Sequence, residues 1–308
     1  MNTKWGVFLH KEYENCNLCP RRCSVNRSKT KGYCNADDKT EISRAALHFM
    51  EEPVISGANG SGTIFFSHCN LGCIYCQNFE ISRKTSKGRK ISDGALAEEM
   101  LNLQSIGAHN INLVTPTHYM PSIKNAIILA KNQGLNIPIV YNTGGFENID
   151  SIKALDGLID IYLTDLKYFS PYYSKLYSLS EDYFDHSSEA IEQMINSLGK
   201  YVVGEDGLMK KGVILRHLIL PGLENDTAQI LKYISKMWGD KVLVSLMRQY
   251  TPINQNLPHP LTREITDEEY NSACELFEVL GLEGFVQQAE SVGKDKIPTW
   301  DLTEKKQK

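Results

Sequence analysis

The 308-residue sequence predicts an α/β protein built on a parallel sheet, with a small cysteine-rich module in front of it. Two observations carry the sheet. From residue 63 onward, short segments rich in Val, Ile, Leu and aromatic residues alternate with helix-like segments, the pattern of strands joined by helical crossovers. The strand segments are also nearly continuous in hydrophobicity, as strands covered on both faces are. A third observation sets the module apart: seven of the eight cysteines fall within the first 76 residues, in two clusters.

Taken in order, residues 1–60 carry Cys16, Cys19, Cys23 and Cys34 among polar and basic residues and are expected to form the cysteine-rich module. The Gly- and Ser-rich stretch 56–62 reads as a linker or tight turn. Strands are predicted over 63–67, 111–115, 137–142, 159–164, 213–220 and 242–246. Helices are predicted near 94–106, 121–133, 147–155, 184–198, 226–238 and 267–280. The last of these opens on Thr266-Asp267-Glu268-Glu269, which fits a capping box, and stops at Gly281. Six strand–helix units can build either a doubly wound sheet or a partial barrel, and periodicity does not choose between them. In both, the active site sits where strands end and loops begin. We expect the barrel or sheet domain to run over 61–256 and a C-terminal helical extension to fill 257–308.

Hydrophobic residues make up 42% of the chain and charged residues 23%, as in an ordinary globule, so a core of this size needs no disulfides. A net charge of −4 gives no overall pull toward nucleic acid or an anionic membrane. There is no run of 18 apolar residues, and the N-terminus lacks the apolar core of a signal peptide. The expected location is the cytoplasm, where thiols stay reduced and clustered cysteines point to metal.

Directly after the first predicted strand comes Cys69-Asn70-Leu71-Gly72-Cys73-Ile74-Tyr75-Cys76. Three thiolates at this spacing can wrap one iron–sulfur cube from a single loop. They leave one of its four irons for another ligand, since a cube fully held by protein uses four cysteines. Gly72 removes a side chain where the loop must fold tightly. The bland alternatives are three buried cysteines, or a zinc site completed by His68.

The C-x3-C-x2-C spacing after a strand, with an aromatic at Tyr75, resembles the signature of the radical S-adenosylmethionine superfamily. The resemblance is greatest to pyruvate formate-lyase activating enzyme and its relatives, and it covers about residues 62–250. It implies a partial (βα)6 TIM-like barrel. It also implies a [4Fe–4S] cluster on Cys69, Cys73 and Cys76, whose open iron is chelated by the amine and carboxylate of S-adenosylmethionine. An electron from the cluster then cleaves the sulfonium to a 5′-deoxyadenosyl radical, so an electron donor such as flavodoxin or ferredoxin is implied as a partner. Tyr75 is expected beside the cofactor.

The other strand ends are read against the same family. Where its members carry Gly-Gly-Glu for the cofactor's amino group, this chain has Val114-Thr115-Pro116-Thr117-His118, a departure. Thr115, Thr117 or the His118 ring could accept from an ammonium; equally, Pro116 could simply turn a loop. Asn142-Thr143-Gly144-Gly145 is similar to the activating enzymes' Asp-Thr-Asn-Gly segment, with Asn142 in place of an acid that in the family helps bind a monovalent cation. Asp165-Leu166-Lys167 is similar to their Asp-x-Lys motif, which implies that Lys167 pairs with the cofactor carboxylate. Alternate residues on a strand point the same way, so Asp165 and Lys167 could both face the barrel; the alternative is a surface pair. Arg216, His217 and Gln249 are polar groups in apolar strand frames where substrate or cofactor could use them, and an arginine inside a barrel could equally bridge backbone carbonyls. Lys167, Arg216 and His217 are the candidate catalytic residues.

The quartet Cys16-x2-Cys19-x3-Cys23-x10-Cys34 supplies four thiolates within 19 residues, enough for a closed zinc site or a second iron–sulfur cluster. Cys274 recurs with Tyr270 and Phe277 at helical spacing and reads as a small core residue. Three functions follow. One is an activase-like enzyme that takes hydrogen from a protein or peptide. The second is a radical enzyme acting on a small metabolite or nucleic acid. The third is a non-catalytic iron–sulfur or zinc module.

Overall fold

A computed structural model describes residues 10–82, 88–253 and 256–287 of the chain. All six expected strands are present, as β2 (Ser61–Phe66), β4 (Ile111–Val114), β5 (Ile139–Thr143), β6 (Ile161–Asp165), β8 (Met209–Leu218) and β9 (Leu243–Met247). They pair in parallel in the order β2-β4-β5-β6-β8-β9, as a partial TIM-like barrel requires. The six expected helices are α3 (Asp93–Ser105), α4 (Met120–Lys131), α5 (Ile149–Lys153), α7 (Tyr183–Leu198), α8 (Glu224–Met237) and α9 (Asp267–Val279). The capping box at Thr266 and Glu269 forms.

Other elements extend this frame. Strand β1 (Thr40–His48) lies before residue 60 yet pairs antiparallel with β2, and β3 (Arg89–Ile91) pairs antiparallel with β1. The cysteine-rich residues before Thr40 therefore lead straight into the barrel's own sheet. At the other edge β10 (Gly284–Val286) adds in parallel to β9, so the stretch after 257 supplies a strand as well as α9. Residues 288–308 of the expected extension lie outside the described residues. The remaining short elements are α1 (Pro53–Ser56), α2 (Phe79–Ser82), α6 (Pro171–Ser178) and β7 (Val202–Val203), the last paired with β8. No helix among the described residues is long and apolar enough to cross a membrane.

The parallel strands separate two cores. Val140, Ile161, Leu163, Ile214 and Leu243 meet inside the barrel, where Ile55 of α1 plugs the floor. Their strand neighbours Tyr141, Tyr162, Val213, Leu215 and Val244 belong to the larger core that includes the outer helices. Strand alternation thus turns Asn142, Asp165, Arg216 and Ser245 inward. Asp165, Arg216 and Ser245 are register partners on adjacent strands.

Just before the plug, Glu51 and Glu52 reach into the barrel. Arg216 grips Glu52 with Nε and Nη2, at 2.7 and 2.6 Å, and also pairs with Glu51. Burial works to raise the Glu52 carboxyl, but Arg216 outweighs it and holds the group below the usual carboxylate range. Removing the cation strands two acids in the interior, so Arg216→Met should cost about 3–5 kcal/mol in urea unfolding at neutral pH. The wild-type pair contributes stability above the unfolded carboxylate pKa of about 4.3, and loses it as pH falls through the lowered Glu52 value. In the variant burial is opposed only by smaller effects, among them a Ser245 hydrogen bond, and raises that carboxyl. The stability gap between the two proteins should therefore narrow on acidification; a gap independent of pH would show that the pair does not hold the barrel floor.

Candidate active site

The loop from Cys69 to Cys76 follows β2 at its C-terminal end. Its shape is set by α6. The last turn of a helix leaves carbonyls without partners, and here Ser178 O accepts from Gly72 N–H at 3.3 Å and Tyr177 O from Ile74 N–H at 2.9 Å. A Cβ on Gly72 would come within 2.9 Å of Leu179 Cδ1 and 3.3 Å of Tyr33 Oη, so a side chain there would have to displace the Leu179 and Tyr33 side chains. His68 precedes the loop at a positive φ of 75° and directs Nε2 toward Glu41, at 3.6 Å.

Each sulfur of the loop has a polar partner. Leu71 N–H donates to Cys69 Sγ at 3.4 Å, Ser178 Oγ donates to Cys73 Sγ at 2.9 Å, and Ser82 Oγ lies 3.4 Å from Cys76 Sγ. Burial, then the neighbouring Cys73, pushes the Cys69 thiol far above its ordinary value. Burial raises Cys73 too, with Lys167 working against it. Cys69 and Cys73 become anionic most readily beside positive charge, which an iron–sulfur cluster would provide. The donor set fits that group: three sulfurs on one loop, each with a donor in reach. Among the described residues no three His, Cys, Asp or Glu side chains are arranged around a single metal ion. A cube does not require that convergence, because each thiolate binds a different iron.

Asp165 and Lys167 lie beside this loop. Their side chains form a close ion pair. Burial works to lower the Lys167 ammonium, but Asp165 and then Cys73 hold it well above its usual range. A Cβ on Gly144 would sit 3.1 Å from Leu71 and 3.7 Å from the Lys167 stem, which brings β5, the loop and Lys167 together. At Gly145 (φ 84°) a Cβ would meet Asp165 O at 2.2 Å, so only glycine permits the close approach of the two strand ends. Thr115 at the end of β4 is held at φ 58°, a strained conformation for a β-branched residue of the kind that collects at functional sites. Its N–H donates to Asn142 O at 2.8 Å. Gln249 O accepts from Gln77 Nε2, one residue beyond Cys76, at 2.8 Å.

Several expected roles require correction. Thr143 and Thr117 both donate to Oε1 of the fully buried Glu147. Thr143 lies on the face of β5 opposite Asn142, so these hydroxyl protons serve the outer core rather than a cofactor. Burial pushes Glu147 up to about 7 despite the two donors. His118 faces Ser67 O at 2.8 Å, which places its proton on Nε2, and burial lowers it to about 3. It is a neutral prop beneath the loop, unsuited to proton transfer near neutrality. His217 lies on the outer face of β8, with Nδ1 2.8 Å from Leu166 O and Nε2 3.0 Å from Thr227 Oγ1 of α8. Burial lowers it to about 4. Both nitrogens are engaged away from the barrel interior. Arg216 does face inward, but carboxylates rather than carbonyls take its guanidinium. Tyr75 is buried, and its hydroxyl lies 2.6 Å from that of Tyr168.

In the quartet Cys16, Cys19 and Cys34 are buried and Cys23 is half-buried, all as free thiols. Tyr33 N–H donates to Cys23 Sγ at 3.2 Å, and a Cβ on Gly32 would face the sulfurs of Cys34 and Cys23 at 3.5 and 3.7 Å. Burial pushes Cys19 up to about 12. Between the cysteines, Arg21 stacks over Tyr33 at 4.0 Å and donates to Asn70 O at 3.0 Å and Leu179 O at 2.7 Å. The quartet is thus fastened to the Cys69–Cys76 loop by one side chain. Sequence reasoning missed Arg21, Glu51, Glu52, Glu147 and Ser178. Of these only Ser178 had a usable local signal: Ser170-Pro171 is a cap followed by a first-turn proline, and Ser170 does cap α6.

A three-cysteine loop at the C-terminal end of the first strand of a partial (βα)6 barrel defines a class of iron–sulfur radical enzymes. Residues 63–234 match the model of the radical SAM superfamily, and the chain belongs to that superfamily. Over 284 residues it is 31% identical to an uncharacterised protein of Methanocaldococcus jannaschii, covering 88% of this chain and 76% of that one. A radical SAM methyltransferase from Sphaerobacter thermophilus shares the fold at 15% identity and a TM-score of 0.51, over 76% of this chain and 68% of that one. The [FeFe]-hydrogenase maturase HydG does so at 14% identity and 0.50, over 71% of this chain and 49% of that one. Membership implies a [4Fe–4S] cluster and S-adenosylmethionine.

Lys167 and His217 make contrasting tests. Loss of a charge-assisted contact is worth about 1.5–3 kcal/mol, or about tenfold to a hundredfold in affinity. Lys167→Ala should weaken S-adenosylmethionine binding to the reconstituted protein by that factor. His217→Gln should leave the affinity in place and lower unfolding stability by about 1–3 kcal/mol. Equal affinities in wild type and Lys167→Ala, by anaerobic calorimetry, would remove Lys167 from the site.

Proposed function

We propose that this radical SAM enzyme abstracts hydrogen from a protein or peptide, in the manner of a glycyl-radical activase. The observation that carries the reading is the open sheet. The order runs from β3 at one edge to β10 at the other, leaving a lateral approach through which a chain could reach the loop of Cys69, Cys73 and Cys76. A closed eight-stranded barrel has a packed interior that admits no chain. The similarity of Asn142-Thr143 and of Asp165 to Lys167 to activating-enzyme segments points the same way. Once bound, the cluster and S-adenosylmethionine supply a 5′-deoxyadenosyl radical. The protein's own residues orient and neutralise: Cys69, Cys73 and Cys76 would hold the cluster, and Lys167 would take the cofactor carboxylate. Asp165 keeps that ammonium charged, and Thr115, Asn142 and Gln249 line the strand ends around it. A one-electron donor of the flavodoxin or ferredoxin class is the reductant.

The test incubates reconstituted enzyme with size-fractionated anaerobic extract and deuterium-labelled protein. Deuterium should enter 5′-deoxyadenosine with the macromolecular fraction, disappear after protease treatment, and be absent with Cys69→Ala, Cys73→Ala or Cys76→Ala. Transfer from a protease-resistant metabolite or RNA fraction would overturn the protein substrate and leave the radical chemistry standing. Full cofactor cleavage in any of the cysteine variants would overturn both.

For the quartet we propose a second metal on Cys16, Cys19, Cys23 and Cys34, either zinc or an iron–sulfur cluster, since four thiolates close both kinds of site. Metal analysis of the variant lacking Cys69, Cys73 and Cys76 should return one zinc or about four irons. Folded protein with neither metal would remove the site.

A further inference from the structure

A chain of three hydroxyls leads from the cysteine loop back to one of its own sulfurs. Tyr75 Oη lies 2.6 Å from Tyr168 Oη, Tyr168 Oη lies 2.7 Å from Ser178 Oγ, and Ser178 Oγ lies 2.9 Å from Cys73 Sγ. Tyr75 is the aromatic residue of the three-cysteine motif, two positions after Cys73. Tyr75 and Tyr168 are buried, and so is Ser178.

Each hydroxyl has one proton, and that fixes the direction of the chain. A thiolate bound to iron has no proton to give, so Ser178 must donate to Cys73. Its oxygen then accepts from Tyr168, whose oxygen in turn accepts from Tyr75. All three protons point toward the sulfur. Donors in series polarise one another, so the last bond gains from the two behind it. Among the described residues the other two sulfurs lack such a chain: Cys69 takes a backbone N–H at 3.4 Å, and Cys76 has Ser82 Oγ at 3.4 Å.

Hydrogen bonds to cluster sulfurs are among the features that set an iron–sulfur potential. Adding one electron makes the cluster more negative and strengthens any donor aimed at a sulfur, so such a donor favours the reduced form. We propose that Tyr75, Tyr168 and Ser178 form a positioning chain that raises the reduction potential of the cluster through Cys73. The chain brings the cluster within reach of its one-electron donor. The inference rests on assigning the cluster to Cys69, Cys73 and Cys76.

The test is a potentiometric titration of the anaerobically reconstituted enzyme with dithionite, following the reduced cluster by electron paramagnetic resonance. Iron content is measured in parallel, because a protein that takes up no iron at this loop defeats the cluster assignment rather than the chain. Ser178→Ala should shift the reduced-to-oxidised ratio at fixed potential about tenfold toward oxidised, a midpoint lower by about 59 mV for one electron. Tyr168→Phe should shift it in the same direction by less, and Ser178→Thr, which keeps a hydroxyl, should return it toward wild type. A purely structural role would alter iron loading or thermal stability without this graded order. An unchanged midpoint in iron-loaded Ser178→Ala overturns the proposal, as does an unchanged midpoint in Tyr168→Phe should Ser178→Ala fail to load iron.

Discussion

Burial pushes the Cys69 and Cys73 thiols up, so they become thiolates most readily beside positive charge, and the charges of the barrel interior lead toward that loop. These charges alternate from floor to mouth. Glu51 and Glu52 meet Arg216, Arg216 interacts with Asp165, Asp165 pairs with Lys167, and Lys167 interacts with Cys73. No member stands without an opposite neighbour. Inward positions of β6 and β8 supply Asp165 and Arg216, which are register partners on adjacent strands. The segment before α1 matters more than its length suggests. Without its two carboxylates Arg216 would have only Asp165, which would then be shared between Arg216 and Lys167.

The end of α6 does for the backbone what this ladder does for charge. Its last carbonyls receive Gly72 and Ile74 N–H, Leu179 O receives Arg21, and the Ser178 hydroxyl reaches Cys73. An arginine suits a helix C-terminus because its charge complements the partial negative charge there. Leu179 adopts a left-handed conformation to turn the chain at this point, with φ 57°. The quartet loop, the cysteine loop and the barrel thus meet at one helix end. Displacing α6 would therefore be felt at both groups of cysteines.

The frame of the fold was legible because it rests on local pattern. Buried parallel strands are apolar on both faces, so β2, β4, β5, β6, β8 and β9 announce themselves. The strands that escaped are short or half-exposed: β10 has three residues, and the second half of β1 is only partly covered. The cysteines were legible because spacing along one loop is a local property. The polar candidates were not, because their roles depend on which face of a strand they occupy. His217 and Arg216 are adjacent in sequence, yet one packs under α8 and the other reaches the barrel floor. The same alternation separates Thr143 from Asn142. Glu51, Glu52 and Glu147 carry no motif, and only their burial reveals that they matter.

Two buried guanidiniums show how differently one residue type is satisfied. Arg216 holds two carboxylates, which makes its surroundings self-sufficient. Arg27 is just as enclosed but, among the described residues, pairs with no carboxylate. It lies over the Tyr13 ring at 4.3 Å and donates to the carbonyls of Asp37 and His118. Neutral carbonyls and rings offset only part of the cost of enclosing a cation. The titratable groups that hold Arg27 in its charged form are Tyr13, Cys34, Cys16 and the likewise buried Tyr119, acting against burial. A tyrosine in a buried site stays neutral at physiological pH, and burial pushes Tyr13 far up. That leaves Cys16 and Cys34; burial raises the Cys34 thiol and Arg27 works to lower it. If the quartet holds the metal proposed for it, the Cys34 thiolate would give the enclosed Arg27 an anionic neighbour.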